Sequence, residues 1–274
     1  MSKGQRRISE YILNHYEKAA YMTASKLGDA AGVSESTVVR FAGELGFEGY
    51  PEFLAALRES VSSMLTAYQR IEMTDEMIGE GDVLERTLTT DIGRIKATIE
   101  ANSPEEFNAA INDIISARNV YIVGARTSSI LADMLSHNLT LISDNIRRVD
   151  SSSEGSVLEQ LLRIGPGDVL LAITFPRYSK RIVKGVMFAK SRGAEIIGIT
   201  DAQSSPIAQA SDRLLYAKSD MASFVDSLVA PLSLVNAIIV AISRRRKDEL
   251  SDTFDQLERV WNEYEIYDKD PNNG

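Results

Sequence analysis

The sequence predicts an all-α helix-turn-helix N-terminal domain, followed by an α/β domain with a doubly wound, parallel, five-stranded sheet of the flavodoxin-like type. Two short amphipathic segments within residues 23–46 are joined by Gly32, which is typical of a helix-turn-helix. From Val120 onwards, short apolar runs alternate with amphipathic stretches, as in a parallel sheet with helices on both faces. An acidic, glycine-containing stretch at 72–82 separates the two patterns and predicts a linker.

Composition limits the possible chemistry. The chain has 274 residues, no Cys and two His, so disulfides, thiolate chemistry and a His-rich metal site are excluded. We expect no metal and no cofactor. The most apolar run, 224–243, contains Asp226, Pro231 and Asn236, which favours a buried helix over a membrane span. The polar N-terminus does not resemble a signal peptide, so we expect a cytoplasmic protein with no membrane partner.

The charge distribution separates the two predicted domains. The net charge is −9, yet residues 1–50 contain six Lys or Arg and six Asp or Glu. Nearly all the negative charge therefore lies beyond the helix-turn-helix. The net charge argues against a generic nucleic-acid coat protein. A neutral helix-turn-helix would bind DNA weakly as a monomer, because each phosphate contact adds affinity, so pairing of two copies would help.

The N-terminal elements follow from helical spacing of apolar residues. A first helix is predicted over 5–19, with Ile8, Tyr11 and Ile12 inward. The helix before Gly32 carries Leu27, Ala30 and Ala31 on one face. Ser34 can cap the next helix, and Tyr50–Pro51 turns the chain into a helix over 52–68. The second helix of the pair is expected to bury Val38, Val39, Phe41, Ala42 and Leu45.

The C-terminal elements begin with a helix over 83–100 and another over 103–117, whose start carries Ser103, Pro104 and Glu106 as a capping box. The strands are predicted at 120–124, 146–149, 168–174, 195–200 and 213–216, in the order 2-1-3-4-5. Helices are predicted at 129–142, 156–163, 180–192, 205–210, 222–246 and 247–263. The predicted divisions are a helix-turn-helix domain (1–72), a linker (73–82), the α/β domain (83–264) and a flexible tail (265–274).

Polar residues follow the first and third strands, where an open parallel sheet binds ligands at its switch point. Both segments combine hydroxyls, an arginine and a helix start, which together make an anion site, most simply for phosphate. The alternatives are that the hydroxyls only cap helices and that the arginines pair with surface acids. Asp201 could take a sugar hydroxyl or cap the next helix. The candidate ligands are Arg126, Thr127, Ser128, Ser129, Thr174, Arg177, Tyr178 and Ser179.

The start of the second helix of the pair carries small hydroxyl residues that suit a major groove. The predicted DNA-binding residues are Lys26, Ser34, Ser36, Thr37 and Arg40. The alternative is an ordinary helical hairpin in a protein-interaction module.

These motifs resemble the RpiR family of bacterial transcriptional regulators, which join a helix-turn-helix domain to a sugar isomerase (SIS) domain. The resemblance implies a regulator whose SIS domain senses a phosphosugar, with dimers or tetramers on palindromic, double-stranded operator DNA. It implies that Ser34, Ser36, Thr37 and Arg40 face DNA and that Ser128 binds phosphate. The matching residues are Ala31–Phe41, Leu45–Tyr50, Phe53, Val123–Gly124, Ser128, Ala132, Asp168–Thr174, Ala189–Ala194, Ile197–Thr200, Ser205–Ala208 and Ala210–Asp212.

Two departures from the family pattern concern the predicted anion site. The usual first loop is Gly-x-Gly-x-Ser, and Arg126 stands at its second Gly. The usual second loop is Ser-x-Ser-Gly-x-Thr, and Pro176 and Arg177 replace its central Ser-Gly. We expect the backbone to approach the ligand differently without these glycines. The arginines could compensate by charge, or the ligand could be an acid other than a sugar phosphate, or no ligand binds.

Three functions remain open at this point. The first is a ligand-responsive, DNA-binding regulator. The second is a DNA-binding protein with a purely structural dimerisation domain. The third is a sugar-phosphate isomerase, which needs a general base, and only Glu154 and Glu159 stand near the predicted site. We predict the first, and no enzyme activity or catalytic residues.

Overall fold

The computed structural model describes residues 1–62, 65–78 and 81–266. Residues 79–80 of the predicted linker and 267–274 of the predicted tail lie outside the described residues. The chain forms two compact units, one of residues 1–92 with 219–227 and one of residues 93–218 with 228–274. The division at residues 72 and 83 stays a prediction. No helix in the described part of the chain is long and apolar enough to cross a membrane.

The first unit is built from helices. They are α1 (Lys3–Asn14), α2 (Tyr16–Ala19), α3 (Ala24–Ala31), α4 (Glu35–Glu44), α5 (Tyr50–Ser62) and α6 (Ala67–Ile78), and α7 (Val83–Ala101) begins in this unit. The predicted helix over 5–19 is two helices, because the backbone of His15 is non-helical (φ −142°, ψ 42°). The predicted helix over 52–68 is not continuous, since Leu65 and Thr66 between α5 and α6 are not helical; residues 63–64 lie outside the described residues. Helix α6 includes residues 73–78 of the predicted linker.

The core of the helix-turn-helix follows the expected spacing with three exceptions. Leu27, Val38 and Ala42 are fully buried. Val39 is 44% exposed and Leu45 is 52% exposed, and Ala30 is also exposed, so these inward predictions are wrong. The short α4 buries only one stripe, Val38, Phe41 and Ala42, at i, i+3 and i+4, and Val39 projects beside that stripe.

Segment 219–227 lies between elements of the second unit along the chain but has its contacts in the first. Arg70 on α6 is 1% exposed and binds Asp226 at 2.7 Å and the carbonyl of Phe224 at 3.3 Å. The Ser227 hydroxyl donates to Asp91 at 2.7 Å. The prediction of a helix from residue 222 is therefore wrong: α12 (Val229–Arg245) begins later, where Pro231 falls in its first turn.

The second unit contains a five-stranded parallel sheet in the order 2-1-3-4-5, which confirms the predicted topology. The strands are β1 (Val120–Gly124), β2 (Ile146–Arg148), β3 (Val169–Ile173), β4 (Glu195–Thr200) and β5 (Arg213–Tyr216). The helices are α8 (Pro104–Ser116), α9 (Thr127–Thr140), α10 (Glu154–Gln160), α11 (Lys180–Ser191), α12 and α13 (Lys247–Glu263), with a 3-10 turn at Ala208–Ala210 in place of the predicted helix over 205–210.

A buried carboxylate ties the starts of β1 and β3 together. Asp168 accepts hydrogen bonds from Arg118 Nε at 2.9 Å and Nη2 at 2.6 Å, from Asn119 at 3.0 Å and from the N–H of Gly165 at 3.0 Å. Burial alone would raise the pKa of Asp168, but these hydrogen bonds outweigh it and lower that pKa. The amino ends of β1 and β3 are thus held in register by an ionised side chain.

Candidate nucleic-acid interface and candidate anion site

The turn between α3 and α4 depends on a left-handed residue. Gly32 has φ +66° and ψ +42°, a conformation that glycine adopts without steric cost. The N–H of Val33 then donates to the carbonyl of Gly28 at 2.8 Å, which closes the end of α3. The chain thereby reverses within a few residues and enters α4 at Glu35, as a helix-turn-helix requires.

Aromatic packing fixes α4 against α5. The ring of Phe53 on α5 lies 5.9 Å from that of Phe41, 5.5 Å from Phe47 and 6.0 Å from Tyr50. The Tyr50 hydroxyl donates to the carbonyl of Met22 at 2.8 Å, and burial raises the pKa of Tyr50 to about 12. Tyr50 therefore stays neutral at ordinary pH, and the buried stripe of α4 has a rigid support.

The start of α4 carries the predicted hydroxyl residues, of which Ser34 and Ser36 are exposed and Thr37 is half-buried. Ser34 Oγ lies 3.0 Å from Ser36 Oγ and 2.8 Å from Thr37 Oγ1, and Arg40 Nε donates to the carbonyl of Ser36 at 3.3 Å. Ser34 is the N-cap by position, but its side chain accepts no backbone N–H, so the predicted capping bond is not formed. These four residues form one cluster at the start of α4, which we call the α4 polar face.

Two further cations lie on α3 and α1. Lys26 is exposed on α3, where its N–H is capped by Thr23 at 3.2 Å. Arg7 on α1 donates to the carbonyl of Gly32 at 3.2 Å, which places its guanidinium at the turn. Arg7 was missed from the sequence. The available signal was the basic N-terminal stretch of α1, since Lys3, Arg6 and Arg7 precede its apolar residues.

The segment after β1 brings α9 close to the sheet. A Cβ on Gly124 would lie 2.3 Å from the carbonyl oxygen of Ser128, so only glycine permits this approach. Ser128 is buried, Thr127 is exposed, and the Ser129 hydroxyl donates to the carbonyl of Arg126 at 2.6 Å. These three hydroxyl residues form the first turn of α9, which begins two residues earlier than predicted, and only Ser128 is buried.

The segment after β3 has a different structure. Thr174 is buried and its N–H donates to the carbonyl of Ile199 at 3.1 Å. The Tyr178 hydroxyl donates to Asp201 at 2.9 Å, and Ser179 occupies the N-cap of α11 without a side-chain capping bond. Burial raises the pKa of Asp201, an effect that the hydrogen bonds from Tyr178 and Thr200 partly offset. Asp201 thus holds the second loop rather than capping a helix.

The two arginines at the family's glycine positions adopt glycine-like backbone conformations. Arg126 has φ +58° and ψ −127°, and Arg177 has φ +63°. Positive φ is uncommon for residues other than glycine and disfavoured for long side chains. Our expectation that the backbone approaches a ligand differently at these points stays a prediction. The substitution adds a side chain and strain to a conformation that suits glycine.

A pocket of about 410 Å³ opens at this edge of the sheet. Its lining includes two predicted residues, Arg126 and Ser129, but none of the predicted residues after β3. Five others were missed, because only the ends of β1 and β3 were considered: one ends β2, three follow it and one lies on α9. The lining residues are Arg126, Ser129, Asp133, Arg148, Asp150, Ser151 and Ser152.

Hydrogen bonds order the pocket wall. The Ser151 hydroxyl donates to the carbonyl of Gly124 at 2.7 Å, and Arg148 pairs with Asp133 at 2.6 Å. Hydrogen bonds from the hydroxyls of Ser152 and Ser156 lower the pKa of Asp150. Asp150 is thus ionised at neutral pH. Across the described residues, no group of three His, Asp or Glu side chains could hold a metal ion.

Comparison with protein families gives two matches. Residues 1–64 match the model described as "Helix-turn-helix domain, rpiR family", and residues 113–241 match that of the SIS domain. The chain is 24% identical over 253 residues to the HTH-type transcriptional regulator HexR of Pseudomonas aeruginosa, covering 90% of this chain and 86% of that protein. It is 23% identical over 248 residues to RpiR of Escherichia coli strain K12, covering 89% and 82%.

Solved structures share the fold. The sugar isomerase domain of an RpiR transcription factor from Sphaerobacter thermophilus matches with a TM-score of 0.60 and 24% identity, covering 64% of this chain and 97% of that one. The Vibrio vulnificus NanR protein, solved in complex with ManNAc-6P, matches with a TM-score of 0.61 and 20% identity, covering 96% and 94%. The similarity extends over both predicted domains.

Proposed function

Because this chain belongs to the RpiR family of transcriptional regulators, we propose that it binds operator DNA through α4 and changes that binding in response to an anionic sugar ligand. The ligand would be a phosphorylated sugar or a related anionic sugar metabolite, bound at the carboxyl edge of the sheet. Such a protein would act where its operator is, in the cytoplasm.

The α4 polar face carries the DNA-binding proposal. Phe41 and its buried neighbours pack α4 against the core, while Ser34, Ser36 and Arg40 are exposed and Thr37 is half-buried. A rigid helix with small hydroxyls at its start and an arginine one turn later suits entry into the major groove. Lys26 and Arg7 would contact the phosphates on either side.

The charge of the helix-turn-helix region favours a protein that binds DNA as a pair of copies. The helix-turn-helix region is electrically neutral, so one copy would gain little affinity from phosphate contacts. A homodimer, or a homotetramer built from two dimers, would double those contacts and match two half-sites about one helical turn apart. We therefore propose a palindromic operator.

The ligand proposal rests on the ends of β1 and β3. Arg126, Thr127, Ser128 and Ser129 stand at the start of α9, and Thr174, Arg177, Tyr178 and Ser179 stand before α11. Helix N-termini, hydroxyls and arginines are the groups that bind phosphate. A relative of the same fold, NanR, was solved with ManNAc-6P, which supports a phosphosugar class of ligand.

We do not propose an isomerase. Glu154, one of two candidate bases, is paired with Lys184, whose Nζ donates to its two carboxylate oxygens at 2.8 and 3.0 Å. Glu159 is exposed on α10. Relatives over most of the chain are named as transcriptional regulators.

The DNA-binding proposal can be tested with the DNA upstream of the chain's own gene. Footprinting at moderate salt should reveal a protected palindrome. Arg40→Ala should weaken binding about tenfold or more, because loss of a base contact costs about 1–3 kcal/mol. Arg163→Ala, at an exposed arginine of the other unit, is the matched control and should leave the affinity unchanged. Absence of a protected site, or equal losses in both variants, would refute the proposal.

A further inference from the structure

Val39 is an apolar side chain on the exposed part of α4. Apolar spacing predicts it inward, yet it is 44% exposed, whereas Val38, one residue earlier, is fully buried. Successive residues of a helix point about 100° apart, so these two valines lie on different parts of the helix surface. Single exposed apolar residues are common on proteins, so the role of Val39 depends on what surrounds it.

Val39 lies beside the exposed residues of the α4 polar face. Ser36 precedes it by three residues and Arg40 follows it directly, and both are exposed. Gly43 follows it by four residues, and a Cβ on Gly43 would meet no heavy atom within 4 Å. Residues three and four apart are adjacent on a helix surface. The isopropyl group of Val39 therefore stands between two smaller neighbours, next to the arginine that is proposed to contact a base.

The major groove offers a single apolar group to such a side chain. This group is the C5-methyl of thymine, and small apolar side chains are its usual partners. The other base-edge groups in the groove are hydrogen-bond donors and acceptors, which a valine cannot satisfy. Arg40 supplies the complementary polar contact, because an arginine fork matches O6 and N7 of guanine. Helix α4 thus carries one group suited to guanine and, beside it, one suited to thymine.

We propose that Val39 is a specificity-determining residue, which contacts the C5-methyl group of one thymine in each half-site of the operator. This inference rests on the proposed DNA-binding function. A helix rises about 1.5 Å per residue and a DNA strand about 3.4 Å per nucleotide. Because Val39 and Arg40 are consecutive, the selected thymine lies within about two base pairs of the base that Arg40 contacts.

The test removes the methyl group from the DNA and leaves the protein unchanged. Each thymine of the footprinted duplex is replaced in turn by deoxyuridine, which pairs like thymine but lacks the C5-methyl group, and the same change is made in both half-sites. Fluorescence anisotropy with the full chain gives the dissociation constant of each duplex. One thymine position should weaken binding by about tenfold, because a buried methyl group is worth about fourfold in each half-site.

A variant assigns this loss to Val39. Val39→Ala removes the Cγ methyl groups and keeps a good helix former. It should bind the natural duplex about tenfold more weakly, and deoxyuridine at the sensitive position should then cost less than about twofold more. Val83→Ala, at an exposed valine in the first turn of α7, is the matched control and should keep the full sensitivity. Far-UV circular dichroism checks that both variants fold.

The possible failures are distinguishable. A protected duplex that tolerates deoxyuridine at every thymine would overturn this inference and leave DNA binding intact. Sensitivity that persists in Val39→Ala would also overturn it, because the methyl group would then act through another residue or through the shape of the DNA. Absence of any protected site would overturn the DNA-binding function, and this inference with it.

Discussion

Arg126 and Arg177 have backbone conformations that glycine favours. We therefore expect glycine at either position to stabilise the fold. Replacing either by glycine should raise the free energy of unfolding by about 1 kcal/mol, because relief of backbone strain, about 1–3 kcal/mol, exceeds the entropic cost of an added glycine. Urea denaturation of the single variants measures the change.

The matched control is an arginine with ordinary helical geometry. Arg244→Gly, in the last turn of α12, should lower stability by about 1 kcal/mol, because glycine is a poor helix former. Loss of stability in all three glycine variants would show that positive φ is not strained at Arg126 and Arg177.

The identity of these residues was readable from the sequence, but their conformation was not. The position of Arg126 and Arg177 after two buried strands and before two helices placed them at the switch point. Local preference alone would have placed glycine at both positions, so nothing in the sequence indicated their positive φ. The pocket residues after β2, such as Asp150, were missed because only the ends of β1 and β3 were considered.

At the level of elements, apolar spacing predicted α3, α4 and the five strands closely. Apolar spacing predicted the boundaries of helices less well. The helix predicted from residue 222 placed Pro231 in the helix interior. Proline lacks an N–H and is tolerated only in the first turn of a helix, so the sequence in fact implied a start near Val229. The break at His15 carried no comparable signal.

The Arg70–Asp226 ion pair should contribute strongly to the stability of the first unit. Arg70 is 1% exposed and the Asp226 side chain is 17% exposed, so loss of one partner leaves a buried charge without compensation. Asp226→Asn should lower the free energy of unfolding by about 3 kcal/mol. Urea denaturation, followed by far-UV circular dichroism, measures this loss.

A solvent-exposed pair provides the comparison. Lys184 and Glu154 have side chains that are 58% and 46% exposed, so Glu154→Gln should cost less than about 1 kcal/mol. Similar losses in the two variants would show that burial of Arg70 does not govern the effect.

The lowered pKa of Asp168 means that the stability of the fold should depend on pH. Its pKa is lowered in the folded chain, so its ionised form stabilises the fold at pH values above the ordinary aspartate pKa of about 3.9. That contribution is lost as the pH falls through the lower pKa of the folded state. Asp168→Asn should therefore be less stable by about 1.5–3 kcal/mol at pH 7, and the difference should shrink below about pH 4.

Denaturation at pH 7, 5, 4 and 3 would record this convergence. Asp133→Asn is the control, since that side chain is 62% exposed and should change stability by less than about 1 kcal/mol. A constant gap between the natural chain and Asp168→Asn at all four pH values would contradict the role of an ionised Asp168.

At the scale of the whole molecule, the order of the two folds and the strand order followed from the sequence, because each depends on periodicity and short connections. The grouping of segment 219–227 with the first unit did not follow from the sequence. It depends on contacts between residues far apart in the chain, such as Arg70 with Asp226, and one sequence gives no sign of such pairing.

The central claim is that a ligand at the sheet edge alters operator binding at α4. The direct measurement is the operator dissociation constant by fluorescence anisotropy, with and without a saturating sugar phosphate or phosphorylated sugar acid that calorimetry shows to bind. The account predicts a change of at least about fivefold in either direction, the lower end of typical allosteric coupling. An operator affinity that stays the same when the ligand is demonstrably bound would contradict the claim.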